Sequence, residues 1–378
     1  MRRPIILDGN PFIHEYYRKN TKTLFDETGG NTGNLAFRYA LFNHVVNPAL
    51  LSWNTPVEQI QKAGDIILLP LANQLGQHTD LGGQAQKLAA IGLPVAGIGL
   101  GAQVASYEKD IVLSDGTMSW LKEIIALAPS AAPNIGARGE YSVGQIAKLG
   151  LPSAASVIGC PSNFINTHDD IAGMVASGFE RKIRHVAVAA GIPFIKQLEG
   201  IEIDLAEIVT ETNGAYITQH GLQMVQLSRG ESAALDTDVF KLCKSYIRPA
   251  ATDEEFVDWL RRYAYAFFDV RAWMDFLRRF DFVIGTRFHG IMLAIQAGVP
   301  AGCIAHDSRT LELCETMGVP VCYYKDINGP LTLQNMLDYF RFDAENYRET
   351  RQKLWQNYVS IFKVAELQPS AQLLRLAL

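Results

Sequence analysis

Residues 285–290 read GTRFHG and follow the apolar run FDFVI. Arg287 and His289 stand two positions apart between glycines. Arginine stays charged and makes paired hydrogen bonds to carboxylates and phosphates. Histidine has an ordinary pKa near neutrality and suits proton transfer. Arg309 comes one short helix and one strand later, and Arg138 lies in ARGEYS, in the first half of the chain. Arg138 and Arg287 fall at expected helix starts, where free backbone N–H groups favour anions. Together these positions predict a site for a small ligand with more than one acidic group.

The elements that must carry them alternate between short apolar runs and helical stretches, the pattern of a largely parallel α/β sheet. In the first half DIILLP (65–70), GLPVAGIG (92–99), PNIGA (133–137) and ASVIG (155–159) read as strands, and YSVGQIAKLG as a helix. The second half gives strands in IRHVAVAAG (183–191), AYITQHG, FDFVIG, PAGCIAHD and VPVCYY. Helices are expected in IEIDLAEIVTETNG, DEEFVDWLRRYAYAFF, VRAWMDFLRRF, GIMLAIQAGV and RTLELCETMG. The chain from Leu331 onward reads as one or two long helices, and 172–184 as a linker. The fold class is therefore α/β, with two doubly wound Rossmann-like domains facing a cleft and a C-terminal helical extension. The expected divisions are 1–178, 179–330 and 331–378.

In such sheets ligands sit beyond the carboxyl ends of the strands. Polar or glycine-rich turns recur there: Asn31, Gly33 and Asn34 in GNTGN; Asn73 and Gln74; Gly99, Gly101 and Gln103 in GIGLGAQ; Ser142; Ser162 in GCPS; Thr286. Apart from Asn73 and Gln74, these join Arg287 as expected substrate-binding positions. His220 also follows a strand, and a structural role is expected for it. GNTGN lacks the Lys-Ser/Thr of a phosphate loop, and GIGLGA does not satisfy GxGxxG. Asp236-Thr-Asp238 is a chance-level imitation of a metal-binding DxD. No HExxH spacing supports catalytic zinc and no GxSxG elbow occurs, so no metal and no cofactor are expected.

Composition bounds the remaining classes. The 378 residues are 48% hydrophobic and carry a net charge of −5, enough for two cores and no argument for a nucleic-acid partner. The five cysteines include no CxxC and read as free thiols of a reducing compartment. No stretch reads as a transmembrane segment, and the N-terminus is too short for a signal-peptide core. The expected location is the cytoplasm, or peripherally the inner membrane face. The sequence leaves the oligomeric state open.

GTRFHGIMLAIQAGVPAGCIAHDSR resembles the strongest signature of the polysaccharide pyruvyl transferases: strand, G-x-R-x-H, a helix ending A-x-x-G-x-P, another strand and a basic residue. GNTGN, GIGLGAQ, ARGEYS and GCPS resemble further segments of that family, so the likeness spans roughly 28–320. The resemblance implies a glycosyltransferase-B-type architecture, with the N-terminal domain on the acceptor side. It also implies transfer of pyruvate from phosphoenolpyruvate to two hydroxyls of a sugar in a polysaccharide or its precursor, forming a ketal. The acceptor would be a sugar or oligosaccharide, free or lipid-linked. By position, Arg138 and Arg287 would hold donor phosphate or carboxylate, and His289 would be the acid/base residue. Arg309 stands where the family usually has lysine, so His289, Arg138 and Arg309 form the expected catalytic set. The family usually reads R-D-x-x-S. Here Gly139 replaces the aspartate, with Glu140 as the candidate substitute carboxylate. The alternatives are a glycosyltransferase using a nucleotide sugar and a non-catalytic carbohydrate- or anion-binding relative.

Overall fold

Short β-rich runs separated by amphipathic helices cannot bury their apolar faces alone, and here they assemble into two all-parallel sheets. The computed structural model describes residues 1–104, 107–151 and 153–377. The first sheet contains β1 (Pro4–Leu7), β2 (Ala49–Leu51), β3 (Ile66–Pro70), β4 (Val95–Leu100), β5 (Ile135–Ala137) and β6 (Ala155–Val157), in the order β2-β1-β3-β4-β5-β6. The second contains β7 (Val186–Ala189), β8 (Ala215–Ile217), β9 (Ala264–Tyr265), β10 (Phe282–Gly285), β11 (Ala301–Ala305) and β12 (Val321–Tyr323), in the order β12-β11-β10-β7-β8-β9. All ladder pairs are parallel. Each sheet reverses its winding once, between β1 and β3 and between β7 and β10. Those reversals are where a doubly wound sheet opens a crevice.

The apolar β1 and β3, buried except at Pro70, pair Ile5 with Ile67 and Ile6 with Leu68. The helix Phe288–Gln296 is buried along every residue from Gly290 to Gln296. A helix apolar all round belongs inside. It lies in one continuous core that links Ile6, Leu68 and Ile98 of the first sheet to Val283 and Cys303 of the second. The last long helix, Ala344–Val364, crosses back to the first half. Its Arg351 Nε donates to the Asn163 carbonyl at 2.9 Å and its Asn357 donates to the Val157 carbonyl at 2.8 Å. All five cysteines are free and buried.

Two sequence readings change. The stretch 253–268 is not one helix. A capping box at Thr252 and Glu255 starts it, but it ends at Tyr263 and Ala264–Tyr265 pairs with β8. Edge pairing satisfies backbone groups that a continued helix would leave short of a sheet, and the aromatic residues serve either role. β1 and β2 escaped sequence detection because four and three residues carry too little periodicity. The region 172–184 is, as expected, a short helix, Ile171–Phe179, followed by the basic segment. The terminal segment contains one long helix, capped by Asp343, preceded by a 3₁₀ turn at Met336–Tyr339 and followed by the short helix Ala371–Leu374.

Candidate functional site

β10 ends at Gly285 (φ 152°), and a Cβ there would lie 2.2 Å from the Ala189 carbonyl oxygen, so only glycine lets β10 sit this close to β7. The chain then turns through Thr286 into the helix Phe288–Gln296. Arg287 is its N-cap residue and no side chain caps that end. The helix Asn34–His44 starts beside it, also without a side-chain cap, and the helix Ser308–Met317 starts at Asp307. The first residues of all three helices line one cavity with Arg138, Arg287, Arg309, His289, Asn31 and Asn73. Three arginines and several free helix N–H groups make a strongly positive recess.

Arg287 explains itself least from within the protein. Its Nε and Nη2 are buried and have no hydrogen-bond partner among the described residues. Burial, then Arg309, lowers its pKa, while Glu202 opposes the shift. A buried, unpaired guanidinium donor costs stability unless a ligand accepts from it. Arg138 is held more firmly. Its Nε donates to the Gly99 carbonyl at 2.8 Å, and burial brings it down to about 10, leaving it charged at neutral pH. A Cβ on Gly101 would approach the Arg138 Cδ to 2.7 Å, so this glycine makes room for the arginine. Arg309 Nη2 donates to Asp307 Oδ2 at 3.2 Å. Burial works against the Asp307 carboxylate, but Arg309, His306 and the Thr310 bonds outweigh it and hold it at about 2.

Two buried glutamates brace the arginine-bearing turns. Glu202 accepts from Gly191 N at 2.8 Å, Tyr216 Oη at 2.8 Å and Thr286 Oγ1 at 3.1 Å, while burial pushes its carboxyl up. It therefore pins the residue before Arg287. Glu312, from the second half, accepts from Ser142 N and Ser142 Oγ, both at 2.8 Å. A Cβ on Gly139 would lie 2.4 Å from Glu312 Cγ. The carboxylate beside this turn thus comes from Glu312 across the cleft. Glu140, the substitute expected from sequence, is exposed.

His289 does not titrate near neutrality. Burial, then Arg138 and Arg309, drives it down to about 3, so its imidazole is neutral across physiological pH. The expectation of an ordinary pKa fails because three neighbouring features all penalise a second positive charge. Its Nε2 lies 3.7 Å from Cys160 Sγ, and Ser162 Oγ donates to that sulfur at 3.0 Å. Burial pushes the Cys160 thiol up, so it stays protonated.

The cavity wall thus brings together Asn31, Asn34, Arg138, Thr286, Arg287, His289 and Arg309. The other expected positions stand behind it. Gly33 packs against it: a Cβ there would meet His289 Cβ at 3.1 Å. Gly99 and Gly101 seat Arg138, Ser142 meets Glu312, and Ser162 meets Cys160. The Gln103 side chain accepts from Asn73. Gln219 also lines the cavity, and its Nε2 is buried without a partner among the described residues. Its place at the end of β8, one residue before His220, was a readable signal. Glu202 and Glu312 gave no such signal, because each sits inside a helix and acts through space. His220 forms a bridge with Asn31, and burial with Arg287 and Arg309 lowers it to about 4. Asp236 caps the helix Thr237–Ile247 by accepting from Asp238 N.

Residues 63–308 match the model of the family described as polysaccharide pyruvyl transferase. A search of curated proteins found no match. Among solved structures, the chain is similar to UDP-N-acetylglucosamine 2-epimerase from Rickettsia bellii, with 11% identity, TM-score 0.44, and 97% of this chain and 99% of that chain covered. It is similar to UDP-GlcNAc 2-epimerase from Neisseria meningitidis bound to UDP-GlcNAc, with 11% identity, TM-score 0.43, and coverage of 97% and 94%. The glycosyltransferase SnogD from Streptomyces nogalater matches at 12% identity, TM-score 0.32, and coverage of 92% and 83%. Likenesses this distant bear on neither substrate nor mechanism.

Proposed function

Because the chain belongs to the polysaccharide pyruvyl transferase family, we propose that it moves pyruvate from phosphoenolpyruvate to two hydroxyls of a sugar, forming a pyruvate ketal. The observation that carries this reading is Arg287, whose buried Nε and Nη2 lack partners beside Arg138, Arg309 and three helix starts. Phosphoenolpyruvate carries a phosphate and a carboxylate, and an arginine cluster suits both. Among the described residues only Asp307, behind Arg309, pairs with one of these arginines, and Arg287 and Arg138 have no carboxylate partner.

His289 is the acid/base residue in this reading, and its low pKa sets the order of events. The imidazole is neutral. A bound polyanion offsets Arg138 and Arg309, so the histidine takes up a proton as the donor enters. That proton goes to the methylene carbon of phosphoenolpyruvate, which becomes a methyl group and leaves an oxocarbenium-like C2. One sugar hydroxyl attacks C2 and returns its proton to His289. The C2–O bond to phosphate breaks, and a second hydroxyl attacks and closes the ring, its proton leaving on phosphate. The arginines stabilise charge on the departing phosphate. Ser162 and Cys160 fix the imidazole from behind, and Glu202 and Glu312 hold the two turns that present Arg287 and Arg138. The first half of the chain is the acceptor side.

The test is phosphate release from phosphoenolpyruvate across a panel of sugar acceptors, with mass detection of the added pyruvate. His289→Ala should lower turnover by about 10²–10⁴-fold while leaving the protein folded. Tight binding of a nucleoside diphosphate with no response to phosphoenolpyruvate would overturn the assignment.

A further inference from the structure

A second cavity, of about 250 Å³, opens where the first sheet reverses its winding, between the ends of β1 and β3. It shares Asn34, Ala72 and Asn73 with the arginine-lined cavity, so the two are neighbours with a common wall. Asp8, Arg38, Trp53, Gln84 and Trp120 line the rest. From these groups we infer that this cavity binds one neutral sugar ring of the acceptor. The inference rests on the pyruvyl transfer reading for its direction and on the cavity's own chemistry for its content.

Three observations carry it. First, donors are waiting: Arg38 Nε and Trp120 Nε1 are buried and have no partner among the described residues, and Trp120 is 1% exposed. The other end of Arg38 is anchored, with Nη1 donating to the Glu27 carbonyl at 3.1 Å. Such donors are stabilised only by an incoming acceptor. Second, an acceptor lines the same cavity. Asp8 stands at the end of β1 with φ 61°, a left-handed conformation that a non-glycine residue adopts at some cost, and its backbone N–H is tied to the Leu51 carbonyl at 2.7 Å. Third, the charges cancel. The lining holds one carboxylate, Asp8, and one guanidinium, Arg38, whereas the neighbouring cavity is lined by three arginines, of which only Arg309 is paired, with Asp307. A neutral polyol, whose hydroxyls each donate and accept, fits the first pattern, and a polyanion fits the second. The half-buried Trp53 adds the flat apolar surface that a pyranose ring's C–H face covers.

The shared wall gives the function. A ring held by Asp8, Arg38 and Gln84 presents its remaining hydroxyls past Asn34 and Asn73, toward His289 and the donor.

The experiment is saturation-transfer difference NMR on the full chain with methyl β-D-galactopyranoside, methyl β-D-glucopyranoside and methyl α-D-mannopyranoside, without phosphoenolpyruvate. At least one glycoside should show saturable transfer. Arg38→Met and Gln84→Ala should each weaken it at least tenfold, while inorganic phosphate binding stays unchanged. Gln84 makes no side-chain hydrogen bond among the described residues, so Gln84→Ala tests the site even if Arg38→Met fails to fold. Absence of transfer from all three glycosides, or equal binding by Gln84→Ala and folded Arg38→Met, would overturn the inference. Sugar binding with no phosphate release from phosphoenolpyruvate would leave this subsite standing and sink the pyruvyl transfer reading. Unaltered acceptor KM in both variants, with normal phosphate release, would do the reverse.

Discussion

In the Arg287→Met variant, a guanidinium with Nε and Nη2 buried and unpartnered gives way to a flexible apolar chain of similar reach. Each unsatisfied buried donor costs about 1–3 kcal/mol. Removing two of them outweighs the loss of packing, so the ligand-free fold should gain about 1–3 kcal/mol. Glu202 loses a favourable charge nearby, but its carboxyl is already pushed up by burial and keeps three hydrogen-bond donors. The site pays the opposite way. Two charge-assisted hydrogen bonds to the donor are worth about 1.5–3 kcal/mol each, which predicts roughly a 10²–10⁴-fold loss of phosphoenolpyruvate affinity. Urea unfolding in phosphate-free buffer and calorimetric titration with phosphoenolpyruvate measure the two effects on one preparation. A variant destabilised by about 2 kcal/mol, or one that binds phosphoenolpyruvate within threefold of wild type, would refute the reasoning.

Other consequences follow from the same geometry. NMR titration of labelled histidines should place His289 at about 3 in the free protein and raise it by at least a unit when phosphoenolpyruvate binds, and an unmoved value would remove it as the proton carrier. Gly139→Asp should cost both stability and turnover because Glu312 fills the space; Glu312→Ser in the same chain should recover part of each, and no recovery would exclude that crowding. Acidification should destabilise the fold through His44 and His289, both held at about 3 by burial first. Their folded pKa values lie below the unfolded value of about 6.5, so the unfolded chain binds protons first as pH falls through that window. The loss should approach about 1.4 kcal/mol per pH unit per histidine between pH 6.5 and 3, and flat urea midpoints from pH 7.5 to 5 would contradict it.

Much of the fold was legible because strand and helix periodicities are local. DIILLP, IRHVAVAAG and FDFVIG each became a buried parallel strand, since contiguous β-branched and aliphatic runs between turns have few other solutions. The rule that ligands lie beyond strand ends points to Asn31, Arg138, Arg287, His289 and Arg309, and the fold brings these five to one cavity wall. The same rule passed over Gln219, although it stands two residues beyond β8. It also overreached at Gly99 and Gly101, which serve Arg138 and do not line the cavity themselves. Glycine in a turn signals close approach without saying what approaches.

GTRFHG and its distant companions carry, in residue type alone, which groups are charged, which is of a type that can transfer a proton, and which helix starts they sit on. Those are properties of residue type and short spacing, and no folding is needed to state them. Tertiary structure decided the protonation state of His289, because burial and two arginines from far along the chain set its pKa. It decided that Glu312, 173 residues from Gly139, supplies the carboxylate at that turn. It also joined Asp8, Arg38 and Trp120 into one cavity beside the arginines. Charge–charge coupling, desolvation and shared space depend on distance in three dimensions, and sequence separation carries no measure of that.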